Sequence, residues 1–169
     1  MATPLNEPTA TAPSPRFAGR SEFQQLVRDA LARAAQEGWR ELVLSDWDFA
    51  DWPLGERAVA QSLQDWSKSG RKLVMLASRY DELIRRHARF VTWRGQWSHI
   101  IECWVCPKID ATDFPSAMWS PNWTLWRLDF ERSNGLHTTD PVRRTEVREL
   151  LAEWQRKCMP GFPASTLGL

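Results

Sequence analysis

Tyrosine is all but missing from this chain, with one residue in 169, and lysine (four), histidine (three) and cysteine (three) are scarce. Eight glycines exclude a collagen-like repeat, which needs glycine at roughly every third position. Three cysteines are too few for a disulfide scaffold, and the odd number favours a reducing compartment. No apolar run reaches the length of about 18 residues that a membrane-spanning helix requires, so no membrane insertion is expected. The first residues lack a basic segment followed by an apolar core, so they do not read as a secretory signal, and the expected location is cytoplasmic. With 22 Lys plus Arg against 21 Asp plus Glu, the net charge of +1 argues against a protein that coats nucleic acid or an anionic membrane with its whole surface. A local basic patch stays open.

What the chain does have is indole and guanidinium. There are 11 tryptophans, most of them expected to fill a core, and arginine supplies all but four of the 22 cations. The arginine excess matches the codon bias of a GC-rich, bacterial-type genome. It also supplies a planar two-pronged group suited to phosphates and carboxylates. Hydrophobic residues make up 43% and charged residues 25%, as in an ordinary globular domain.

Residues 1–19, with prolines at positions 4, 8, 13 and 15, read as a disordered arm, and residues 20–169 as one domain. Ser21 and Gln24 have capping-box spacing ahead of an apolar helical pattern that Gly38 ends. Leu42–Leu44 and Leu73–Ala77 read as buried strands, with a helix over 56–69 between them and a short helix over 79–87 after them. Phe90–Trp93, His99–Val105 and Trp123–Phe130 read as further strands. Asp140 and Pro141 open a last helix reaching about residue 157. The expected class is α/β, with helices packed on a mostly parallel sheet.

Four groups of residues bear on chemistry. Asp46 and Asp48 follow the first apolar run, and Ser78 ends the second, at the edge where open α/β sheets place their sites. This resembles the first two motifs of the haloacid-dehalogenase phosphatases. The resemblance implies a nucleophilic Asp46, an acid/base Asp48, a phosphate-holding Ser78 and a Mg²⁺ ion. Ala50 departs from that pattern, and no adjacent acidic pair follows a later strand. The run Arg79–Arg94 holds five arginines with Trp93 inside it, a candidate surface for nucleic acid. Cys103 and Cys106, three apart on a strand, point to opposite faces and do not make a metal site by themselves. His99 opens a strand. His137 lies before the last helix with no visible partner.

Taken together, residues 20–169 resemble one half of the phospholipase D superfamily fold. His99 falls where that family's signature histidine would sit, Arg132-Ser133-Asn134-Gly135 where its Ser/Asn segment would, and Leu150–Trp154 where its terminal helix would. The resemblance implies a histidine nucleophile with a lysine two residues on and an aspartate beyond. Here the lysine position holds Ile101, and Cys103–Cys106 supplies no aspartate. A nucleophile without charge stabilisation loses most of its value. The expectation is therefore a non-catalytic phospholipase D-like module that binds a phosphate-bearing ligand, nucleic acid or a partner protein. Its ligand groove would be made by His99, Arg94, Ser133 and Asn134, with no cofactor. The resemblance also implies a homodimer, because single-half members pair to build their site.

Overall fold

The apolar runs Leu42–Leu44 and Leu73–Ala77 lie side by side as parallel strands, and the rest of the molecule is arranged around them. In the computed structural model, which describes residues 15–162, the elements in chain order begin with β1 (Arg16–Phe17), α1 (Arg20–Glu37), β2 (Glu41–Ser45), α2 (Arg57–Ser67) and β3 (Lys72–Ala77). There follow α3 (Asp81–Arg86), α4 (Ala88–Gln96), a 3₁₀ turn at Ser98–Ile100, β4 (Ile101–Val105) and a second 3₁₀ turn at Ala111–Asp113. The chain continues with β5 (Ser116–Trp119), β6 (Thr124–Asp129), β7 (Asn134–Thr138), α5 (Pro141–Gln155) and β8 (Met159–Pro160).

All eight strands form one sheet in the order β1-β7-β6-β5-β2-β3-β4-β8. Only β2–β3 and β3–β4 pair in parallel; the other five pairs are antiparallel. The sheet is therefore mixed and mostly antiparallel, which corrects the expectation of a mostly parallel one. The α/β class stands. The difference comes from β5, β6 and β7, a meander that needs only short turns and no crossover helices.

Strand alternation divides the core. Leu42 and Leu44 of β2 face a cluster with Phe23, Val27 and Leu31 of α1 and Val59, Leu63 and Trp66 of α2, together with Phe90 and Trp93 of α4. Val43 faces the other side with Val74, Leu76, Ala117 and Trp119, under Val147 and Leu151 of α5. One face thus carries the helices from the first two thirds of the chain, and the other carries α5 alone. Of the 11 tryptophans, six are buried and five half-buried, so the indole excess does fill the core.

Several element boundaries follow local chemistry. Gly38 ends α1 in the left-handed conformation, at φ 67°. Asp140 caps α5 by accepting from the Val142 amide at 3.1 Å, with Pro141 in the first turn. Ser21 does not cap α1: Gly19 is the N-cap, and Gln24 instead donates to the Asp51 carbonyl at 2.8 Å. Phe90–Trp93 is helical, because Phe90, Trp93 and Arg94 share one buried helix face. Of the arm assigned to 1–19, residues 1–14 lie outside the described residues. Arg16 and Phe17 pair with Leu136 and Gly135 as a strand of the domain, and Phe17 is buried.

Three cysteines are too few for a scaffold and their odd number favours a reducing compartment, yet Cys106 and Cys158 form a disulfide across 52 positions. Cys103 alone is free. The bridge removes the ground for inferring a reducing compartment from the cysteine count. Among the described residues no helix is long and apolar enough to cross a membrane.

Candidate functional site

The carboxylate expected to be most reactive is the most enclosed. Asp46, just past β2, has no exposed side-chain surface, and Arg127 of β6 has none either; they pair at 2.7 Å. Asp46 Oδ1 accepts from Arg127 Nη2 and from Ser116 Oγ, both at 2.7 Å. Its Oδ2 accepts from the amides of Phe49 at 2.8 Å and Asp48 at 3.3 Å. Arg127 donates further to Ser116 Oγ at 2.9 Å, Ser133 Oγ at 3.1 Å and Asp51 Oδ2 at 3.3 Å. Its guanidinium lies 4.5 Å from the ring centres of both Phe23 and Phe130. With all its acceptor directions occupied by protein donors, Asp46 has no lone pair directed at a substrate phosphorus or a cation. The nucleophile role is therefore corrected: Asp46 is a structural carboxylate that fixes the loop after β2.

That loop holds Phe49, fully buried, at φ 60°, a left-handed conformation that a bulky residue adopts only when its surroundings enforce it. Asp46 holds its amide, and His87 Nε2 meets its carbonyl at 2.8 Å. Asp48 is nearly buried and accepts from the Ala50 amide at 3.0 Å. Burial pushes its carboxyl upward, Ala50 opposes this, and the charges of Asp46 and Asp51 add to the rise. Ser78 lies at the same edge, as expected, with its amide donating to the Trp47 carbonyl at 3.0 Å. Among the described residues no three His, Cys, Asp or Glu side chains gather as a metal-holding group.

His87 sits in the same loop contact, and burial lowers its pKa from the ordinary 6.5, against the raising effect of its bond to Phe49. The unfolded chain therefore takes up this proton first as pH falls, and the stability that neutral His87 provides is lost below about 6.5. His87→Gln is expected to flatten the loss of stability between pH 7.5 and 5.5, measured by urea unfolding at both values. Asp48 has the opposite sign: its contribution is full below the ordinary 3.8 and fades as pH rises through its raised value.

The four residues expected to line one groove do not meet. Strand directions place Ser133 and Asn134, at the start of β7, beside the C-terminal end of β2. His99 lies before the start of β4 and so at the opposite edge. His99 is exposed beside Trp97, with ring centres 5.7 Å apart. Ser133 is buried and accepts from Arg127. Asn134 Oδ1 accepts from the Gly19 amide at 3.2 Å, at the start of α1. Arg94 is buried against Cys103 Sγ at 3.2 Å and the ring of Phe162 at 3.9 Å. The four side chains serve as separate internal contacts or surface groups.

The arginine run of residues 79–94 is also largely engaged within the protein. Arg85 and Arg86 share Glu82 at 2.6 and 2.7 Å, and Arg89 donates to the Gly55 carbonyl at 2.9 Å. Arg79 lies over Trp47 at 4.6 Å.

The cationic groove lies elsewhere, along α5. Arg144 and Arg148 are about one turn and 6 Å apart along the axis, and Arg156 follows eight residues on, at the C-cap of the helix. With Trp119, Pro141, Thr145 and Glu149 they line a cleft of about 420 Å³. Arg144 is fixed by the carbonyls of Thr139, at 3.0 Å, and Pro121. Arg148 lies 4.3 Å over the Trp119 ring and pairs with Glu41 at 3.3 Å, with its side chain half exposed. Trp119 is anchored by its own indole N–H on the Arg144 carbonyl at 2.9 Å. Arg156 is exposed and has no ion-pair partner among the described residues. Sequence reading assigned α5 only its inward residues; the signal missed was Arg144 and Arg148, four residues apart, with Arg156 eight further on.

No protein-family model and no curated protein matches the chain. Solved structures do. An archaeal chromatin protein, TrmBL2, described as binding DNA in a novel mode, superposes with a TM-score of 0.64 at 13% identity, over 93% of this chain and 57% of that one. NucT from Helicobacter pylori gives 0.59 at 8% identity, over 88% of this chain and 98% of that one. Nuc from Salmonella typhimurium, a phospholipase D family member, gives 0.57 at 6% identity, over 88% and 99%. The chain thus spans little more than half of the chromatin protein and nearly the whole length of the two Nuc-type chains. The fold is phospholipase D-like.

Proposed function

We propose that this chain is a non-catalytic phospholipase D-like module that binds nucleic acid through the groove along α5. The observation that carries this reading is the cleft lined by Arg144, Arg148 and Arg156 beside Trp119. Guanidinium groups spaced along a helix suit a run of phosphates, and their attraction is local, so it needs no large net charge. Support also comes from the DNA-binding chromatin protein of the same fold. The non-catalytic part rests on the histidines. His87 is buried on a carbonyl, while His99 and His137 have Ile101 and Thr139 where the family signature has lysine.

The test incubates the protein with a labelled 20-nucleotide DNA, single-stranded and duplex, in Mg²⁺ and in chelator, and reads binding by anisotropy and integrity on a denaturing gel. Bound, uncut DNA in both conditions is expected. Cleavage in either condition overturns the non-catalytic reading, and the absence of binding at low salt overturns the nucleic-acid reading.

A further inference from the structure

The disulfide and the chain after it form a strap that the nucleic-acid reading does not use. Cys106, at the end of β4, and Cys158, just past α5, are joined with Cα atoms 4.1 Å apart. Beyond Cys158 the chain runs along the outer side of β4, pairing Met159 with Val105 and Pro160 with Trp104. The Gly161 amide donates to the Cys103 carbonyl at 3.0 Å. A Cβ on Gly161 would lie 2.0 Å from Val105 Cγ2, so glycine is what allows this close approach.

Phe162 then enters the core on the far face, the one carrying α1, α2 and α4. Its ring meets Tyr80 edge-on at 4.9 Å and lies 3.9 Å from the Arg94 guanidinium, which also donates to the Phe162 carbonyl. A bond on the α5 side thus holds a segment whose last described side chain is buried on the other side. Met159 and Pro160 are exposed. Among the described residues, the contacts that hold the strap besides the bridge include the buried Phe162 ring, the β8–β4 pairing and the Gly161 and Arg94 hydrogen bonds, against the entropy of ordering residues 159–162. The covalent link lowers that entropy cost by tethering the first residue of the strap to β4.

We propose that Cys106–Cys158 is a redox latch: reduction by a dithiol releases the strap and uncovers the outer edge of β4. The dithiol's thiolate attacks the sulfur of Cys158, which is half-buried where Cys106 is buried. The S–S bond breaks, and Cys106 leaves as a thiolate and takes up a proton. The second thiol of the reductant closes its own disulfide and displaces Cys158, which is protonated in turn. Two electrons pass to the protein, and the reductant ends as a disulfide. Cys103 takes no part, because its sulfur is on the opposite face against Arg94. The freed edge presents unpaired backbone groups to a pairing strand.

Amide hydrogen exchange on the full chain tests this before and after dithiothreitol, with thiols counted in parallel. One titratable thiol is expected before reduction and three after it. On reduction the Gly161 amide is expected to exchange at least roughly tenfold faster, while amides of Leu42–Leu44 and Leu73–Leu76 hold their rates. Cys158→Ser is expected to reproduce the reduced pattern; since that variant can fail to fold, reduction of the folded wild-type chain is the deciding measurement. Unchanged Gly161 exchange in fully reduced protein overturns the latch. So does loss of protection in β2 and β3 together with the strap, which would make the bridge a staple of the whole fold. Three free thiols in the oxidised chain overturn it as well.

Discussion

Replacing Arg127 with methionine is expected to cost about 3–5 kcal/mol of folding stability. The methionine keeps much of the apolar stem between Phe23 and Phe130, so the loss is chiefly electrostatic. It leaves the Asp46 carboxyl without its guanidinium partner, in a place with no exposed side-chain surface. It also strips donors from Ser116, Ser133 and Asp51. Asp46→Asn combined with Arg127→Met is expected to cost less than the sum of the two single changes, because it removes both buried charges together. Urea unfolding of the two single variants and the double variant gives the coupling directly. A loss below about 1 kcal/mol for Arg127→Met would mean that the pair is solvated and that Asp46 is free for other work.

Removing two of the three groove cations has its largest effect on binding. Arg148→Gln with Arg156→Gln is expected to weaken nucleic-acid binding roughly tenfold at moderate salt and to lower the salt slope by about 1.4–1.8. Arg144 is left in place because it holds the Thr139 and Pro121 carbonyls, and its loss would move Trp119 as well as charge. Arg148 also pairs with Glu41, so a melting curve of the variant separates lost contact from lost fold. Binding and slope that match the wild type would place the nucleic acid on another surface.

The sequence was most legible where one helix face or one apolar run decided the outcome. Leu42–Leu44, Leu73–Ala77, Gly38 and the Asp140–Pro141 start behave as their local chemistry demands. It was least legible where distant pairing decides. Ser116–Trp119 sits between Pro115 and Pro121 and reads as loop, yet it joins β2 to β6. Asn134–Thr138 has weak strand propensity and is a strand because β6 pairs with it. Gly135 permits that pairing: a Cβ there would lie 2.0 Å from the Trp126 carbonyl oxygen. Phe90–Trp93 carries strand-favouring residues, and burial of one helical face overrides them.

The same limit governed the candidate site. Asp46 and Ser78 lie at one sheet edge because both follow parallel strands, which a sequence pattern can show. That Asp46 is enclosed depends on Arg127, 81 residues away, and no local pattern announces the pair. His99 and Ser133 were grouped as one groove by family position alone, and the strand directions set them at opposite edges. The Cys106–Cys158 bridge crosses 52 residues and was equally invisible to spacing.

The most direct test of the nucleic-acid reading is the affinity of the wild-type chain for one labelled oligonucleotide at about 50 and 200 mM salt. Three phosphate contacts imply a fall of roughly 20–40-fold between those conditions. An affinity that does not change with salt, or no binding at the lower concentration, would contradict a phosphate-binding groove on α5.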